Sequence, residues 1–300
     1  MKKKTFLIAL MAMVLTLGSC SDNENGIGGE TSKYITVSTS IGNMTRVATD
    51  EKGGQTFEEG DEISVYAWTG APTVAPETSE RVVNNAINKL TNGSWVSTPQ
   101  MLWKNNRDKH YFIGVYPISA ISDLSAGEYT FDETKQVESD LLVAVNKDGL
   151  SYNVDEQQTV PLTFTHVMAK LAVNLTYKNQ WGGIPTVEKV VVGNAAKEAT
   201  INYLTKVVTP STTAKEDFSL PEITENTKYV SVIIPQEDVK QLTIVIGGKN
   251  FVYDNGTPFK LESGKITTVN LEVGRDEIKL GDVKITNWED GSTFSGVALN

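Results

Sequence analysis

Cys20 is the residue whose surroundings specify a reaction. It is the only cysteine in 300 residues. Lys2, Lys3 and Lys4 form a charged start, Thr5 to Leu17 an apolar stretch, and Leu17-Gly18-Ser19-Cys20 reads as a lipobox. About a dozen apolar residues are too few to cross a hydrocarbon layer roughly 30 Å thick, so the stretch suits a cleaved signal instead. Cleavage before Cys20 makes residues 1–19 a lipoprotein signal peptide and leaves Cys20 as the lipidation site, carrying palmitate-type acyl chains. Those chains are then the membrane anchor, because no second apolar run approaches 18 residues.

Other chemistry has little raw material. His110 and His166 are the two histidines, and no cysteine remains to join them as a metal ligand. His166, in Phe164-Thr165-His166-Val167-Met168-Ala169-Lys170-Leu171, reads as a hydrogen-bonded structural residue. The acidic run Glu58-Glu59-Gly60-Asp61-Glu62 lacks the alternating oxygen ligands of a calcium loop and reads as a solvated turn. Phosphate loops, nucleophile elbows and zinc-protease motifs are missing. Trp68, Trp95, Trp103, Trp181 and Trp288 are scattered near turns and strand ends, which favours packing over a sugar-stacking platform. The expectation is a protein that is not an enzyme, with no catalytic residue, metal or cofactor.

The net charge is −10, and loss of Lys2, Lys3 and Lys4 with the leader takes it to −13. That argues against a nucleic-acid partner and against a polybasic membrane contact. A single, acylated cysteine leaves no disulfide, so denaturation should be indifferent to reductant. The fold must rest on apolar burial and sheet pairing.

Residues 20–33 are polar and Gly-rich, a flexible tether. Beyond it the hydrophobic pattern has period two. Ile35, Val37, Thr39 and Ile41 share one face. Ile63, Val65 and Ala67 share another, with Tyr66 and Trp68 on the reverse. Further alternating runs are 111–115, 141–145, 171–177, 230–234, 242–246 and 269–273. Gly-rich turns fall between them, and Asn255-Gly256 is a hairpin cue. Asn84 to Leu90 is the one stretch with a helical pattern. Ile278 and Leu280 are apolar on even positions, Val283 and Ile285 on odd ones, which predicts a turn or bulge at Gly281-Asp282. The fold class is therefore all-β, as two tandem antiparallel β-sandwich domains at 34–165 and 166–300.

Several segments in order carry a resemblance. Thr45-Arg46 precedes Phe57-Glu58-Glu59-Gly60-Asp61-Glu62-Ile63-Ser64-Val65-Tyr66. Then come Tyr111-Phe112-Ile113-Gly114-Val115-Tyr116-Pro117, Asp140-Leu141-Leu142-Val143-Ala144, Leu162 to Leu171, and Ile285-Thr286-Asn287-Trp288-Glu289-Asp290-Gly291. After a lipobox, this set resembles the fimbrillin family, the type V pilins and pilin-like lipoproteins of Bacteroidota. Gly114 and Val115 depart from the family, standing where many relatives carry Ala and another aromatic.

The resemblance implies transthyretin-like Greek-key sandwiches, display on the outer membrane and then in a fimbrium, and a role in adhesion. It also implies assembly by donor-strand exchange. An Arg-specific protease removes the first strand, and a C-terminal strand of another pilin subunit, like or unlike, refills the groove. Arg46 and Val47 then flank the maturation cut, after the strand Tyr34 to Gly42, and Asp282 to Asn300 is either the donor or a native strand. The other reading of the composition is a glycan-binding surface lipoprotein serving an outer-membrane polysaccharide importer.

Overall fold

Why the odd positions of 35–41 and 63–67 turn inward is visible in a computed structural model of the protein. It describes residues 33–42, 56–153, 155–156 and 158–288. The strands in chain order are β1 (Thr36–Ile41), β2 (Glu62–Thr69), β3 (Val83–Thr91), β4 (Ser94–Thr98), β5 (His110–Tyr116), β6 (Gly127–Thr130), β7 (Leu142–Leu150) and β8 (Thr159–His166). They continue with β9 (Ala169–Tyr177), β10 (Val187–Ala196), β11 (Glu198–Asn202), β12 (Val207–Pro210), β13 (Lys215–Ser219) and β14 (Glu222–Thr224). The last are β15 (Lys228–Ile233), β16 (Gln241–Ile246), β17 (Lys249–Asp254), β18 (Lys265–Val273) and β19 (Ile278–Asn287). Two short 3-10 turns are the helical content of the described residues. The fold is all-β.

A seven-stranded sheet runs β1-β8-β7-β5-β2-β3-β4. One face gathers Ile35, Val37, Ile63, Val65, Ala67, Phe112, Val160, Leu162 and Phe164 into a core. The reverse face sends Tyr66, Trp68, Tyr111, Ile113 and Val115 into a second core. Both faces of β2 and β5 are thus buried, as the opposed apolar sets in 63–68 require.

Two further sheets, β14-β15-β9-β18-β19 and β13-β10-β16-β17, share that second core. A small sheet, β12-β11-β6, joins the halves, because β6 pairs with β11. Gln136 stitches the same junction, its Oε1 accepting from the Val232 amide at 2.7 Å. Most pairings are antiparallel, but β1 with β8 and β9 with β18 are parallel. Those pairs bring together strands remote in sequence, which a meander cannot do.

Two sequence expectations are corrected. Asn84 to Leu90 is strand, within β3. Asn85 takes φ 56 and the β2–β3 register slips there, so Val83 and Ala86 are buried three residues apart. That spacing imitates a helix. Asn255-Gly256 is no hairpin, since β17 and β18 lie in different sheets. The two-residue hairpins are Asn92-Gly93 and Gly247-Gly248, where both central residues have positive φ. The predicted parity break is a bulge: Asn270 pairs with Asp282 and Leu271 with Leu280, leaving Gly281 extra.

Candidate assembly site at the first strand

β1 is threonine- and serine-rich on one side and apolar on the other, so its inner face must find a core. Ile35 and Val37 are buried in that of the seven-stranded sheet. Along β8 it pairs in parallel from Thr36–Thr159 to Ile41–Phe164, and the Gly42 amide closes the run on Phe164 O at 2.8 Å. Hydroxyls reinforce the ladder, with Ser40 Oγ donating to Thr163 Oγ1 at 3.2 Å and Thr36 Oγ1 lying 3.1 Å from Thr159 Oγ1.

The opposite edge of β1 is held unevenly. At its start the Ile35 amide donates to Met101 O and the Trp103 amide to Lys33 O, at 3.0 and 3.2 Å. Further along, β4 approaches without a backbone ladder. There a groove of about 580 Å³ opens, lined by Thr36 to Ile41 with Phe57, Leu90, Trp95 and Thr159. Trp95 Nε1 reaches across to donate to Thr39 Oγ1 at 3.0 Å. One side of β1 is zipped to β8, the other is zipped at one end and open along the rest.

Arg46 and Val47 lie outside the described residues, as does Cys20. Both ends of the segment that holds Arg46 are fixed, however. Gly42 is bonded to β8. Phe57 meets Trp95, Tyr116 and Phe164 edge-on at 5.3, 5.4 and 5.1 Å. This aromatic clamp escaped sequence reading, because Phe57 sits in no alternating run; its signal was the resemblance motif alone. Gly114 also bears on the site. A Cβ there would stand 2.6 Å from Phe164 Cζ, so the glycine makes room for the ring that Phe57 touches.

The acidic run before β2 is a turn. Asp61 Oδ2 accepts from the Glu58 amide at 2.7 Å and Glu59 Oε1 from the Asn92 amide at 2.7 Å. Burial and an adjacent Asp61 push the Tyr116 hydroxyl up to about 12. Among the described residues no group of three or more His, Cys, Asp or Glu side chains is placed to hold a metal. His110 is buried; its Nε2 accepts from the Lys104 amide at 3.0 Å, and burial pulls its pKa down, a neutral structural histidine.

A second cluster lies where β8 gives way to β9. His166 Nδ1 sits 2.8 Å from Asp140 Oδ1, and its ring stacks on Trp288 at 4.2 Å and 5°. Lys170 Nζ lies 4.2 Å from the centre of a Trp288 ring. Trp68, Trp103 and Trp288 are buried, so none is a sugar platform; Trp95 and Trp181 are half-buried. Of the proposed donor segment, Asp282 to Asn287 is part of β19, paired to β18, and the rest beyond Trp288 lies outside the described residues.

A family profile described as fimbrillin-like matches residues 45–288. The chain belongs to the fimbrillin-like family. Its fold is shared with a candidate cell adhesion protein from Bacteroides ovatus, at TM-score 0.62 and 17% identity over 85% of this chain and 98% of that one. A candidate cell adhesion protein from Bacteroides uniformis gives 0.61 and 17%, over 86% and 100%. A fimbrial protein from Bacteroides vulgatus gives 0.52 and 13%, over 84% and 99%. No curated protein matches the sequence. The fimbrillin-like match ends at Trp288, the residue that closes the second cluster.

Proposed function

We propose that this fimbrillin-like chain is a fimbrial subunit that acts in adhesion. It is exported as a lipoprotein anchored through Cys20 in the outer membrane. It assembles when a protease cuts between Arg46 and Val47 and a strand of another subunit replaces β1. The division into sandwiches at 34–165 and 166–300 belongs to the same reading.

The observation that carries it is the seating of β1. Ile35 and Val37 are the side chains this segment buries fully, and its outer edge borders an open groove. The chain leaves it at Gly42, four residues before Arg46. Loss of β1 would bare the β8 backbone beside Val160, Leu162 and Phe164, an edge and a slot that an incoming strand restores.

Limited trypsin digestion, N-terminal sequencing and sizing test the reading. A new terminus at Val47, with oligomers that grow with concentration, is the expected result. Resistance at Arg46 while other sites are cut, or a cut protein that stays a compact monomer, would end the strand-exchange account.

A further inference from the structure

The edge strands of the second half are short, with three residues in β14, five in β13 and six in β17; β19 has ten. Short edges are one way proteins discourage pairing with other chains, and β19 does not use it. Among the described residues it has β18 on one side and no strand on the other. Its exposed apolar residues are Leu280, Val283 and Ile285, at 39%, 38% and 41%.

The Gly281 bulge keeps those residues together. Ile278, Leu280, Val283 and Ile285 stand opposite Val273, Leu271, Val269 and Thr267, all buried, so the four share the core-side face. Without the extra residue, Val283 and Ile285 would turn outward. The bulge therefore sustains an apolar row, and Lys279, Asp282 and Lys284 line the opposite face.

We infer that β19 pairs with β19 of a second copy of this chain, antiparallel across a two-fold axis between Leu280 and Gly281. Because the bulge flips parity, a register that joins residues across it matches like faces only when the paired numbers sum to an odd value. In the register centred on residues 280 and 281, Lys279 meets Asp282 and Glu277 meets Lys284, each twice by symmetry. Ile278 meets Val283 on the apolar face. Shifting by one pair to bring Leu280 onto Val283 sets Lys279 against Lys284, which like charge disfavours.

In the isolated chain these charges satisfy themselves at close range. Lys279 lies 3.6 Å from Glu277, and Lys284 lies 3.6 Å from Asp282. Glu277 also meets Lys178. Asp282 likewise accepts from Asn270 Nδ2 at 2.6 Å, so each carboxylate keeps one partner within the chain when its lysine turns to the second copy. Bulges and edge lysines often protect an edge. Here the signs alternate so that a second copy complements them. Such a contact is isologous and closes at two copies, needs no cleavage and leaves β1 in place, so it is separate from strand exchange.

Sedimentation of the uncut chain from residue 21 onward, across the micromolar range, tests this. The wild type should pass reversibly from monomer to dimer. Lys279→Glu and Asp282→Lys should each weaken the dimer by about tenfold or more, since each puts like charges together twice. Mixed in equal amounts, the two variants should dimerise again. The carboxylate introduced at position 279 of one copy then faces the ammonium introduced at position 282 of the other, and the native Asp282 of the first faces the native Lys279 of the second. A wild type that stays monomeric, a dimer indifferent to Lys279→Glu, or a mixture no better than its parts would overturn the proposal.

Discussion

β1 and β19 are both sheet-edge strands near the ends of the described chain, yet they are held by different forces. β1 is six residues long, and with the residue before it inserts Ile35 and Val37 into a closed apolar core, so side-chain burial fixes it. β19 is ten residues long and buries almost nothing along its length. It is held by the β18 ladder and by Trp288 just past its end, 2% exposed, with its amide on Gly264 O and its ring between Lys170 and His166 contacts. A strand held by burial leaves a slot when removed. A strand held by a ladder and one anchor leaves mainly an edge. On that contrast rest the proposals of exchange at β1 and lateral pairing at β19.

The sharpest way to break the contrast is at the anchor. Trp288→Ala should cost about 3–5 kcal/mol, as for other buried aromatics, and free the C-terminal part of β19. Thermal unfolding with proteolysis near residues 278–287 checks it. A loss below about 1 kcal/mol would mean that the ladder alone suffices.

Lys170 sharpens the same point. It is 1% exposed, and burial pulls its ammonium pKa down to about 8, with Asp140 opposing. The folded value lies below the unfolded one, so the penalty is absent above the unfolded pKa and in full force below pH 8. The stability of wild type minus that of Lys170→Met should therefore rise between pH 8 and 10.5, by up to about 3 kcal/mol. Denaturant titrations of both chains at several pH values give the difference; a flat difference would contradict the buried-ammonium account.

At β1 the expected effects are smaller and local. Gly114→Ala drives a methyl into Phe164 and should cost about 1–3 kcal/mol. Val37→Ala should cost about 2 kcal/mol, whereas Val283→Ala in β19 should cost under about 1. Equal losses for the two valines would erase the distinction between the strands.

The period-two face of 35–41, the opposed faces of 63–68 and the slip at Gly281 were legible in the sequence, because each rests on alternation within one strand. What hid was non-local. β10 was overlooked because Val190, Val191 and Val192 run without alternation and Asn194 takes φ 56 before the strand resumes. The β3 bulge disguised a strand as a helix. Nor does any local pattern show that one core crosses from Tyr66 and Trp68 to Leu171 and Val269, or that a β6–β11 pairing joins the halves. A single cooperative transition is the outcome this coupling favours. The Phe57 clamp and the stacking of His166 on Trp288 depend on residues far apart in the chain, which no local pattern records.

Amide hydrogen exchange along β8, before and after cleavage at Arg46, tests most directly that β1 is the removable strand. The account predicts that amides from Val160 to Phe164 which are protected in the intact chain lose protection once residues 33–46 are released, and regain it when a peptide of residues 33–42 is added. Protection unchanged after release of that segment would contradict it.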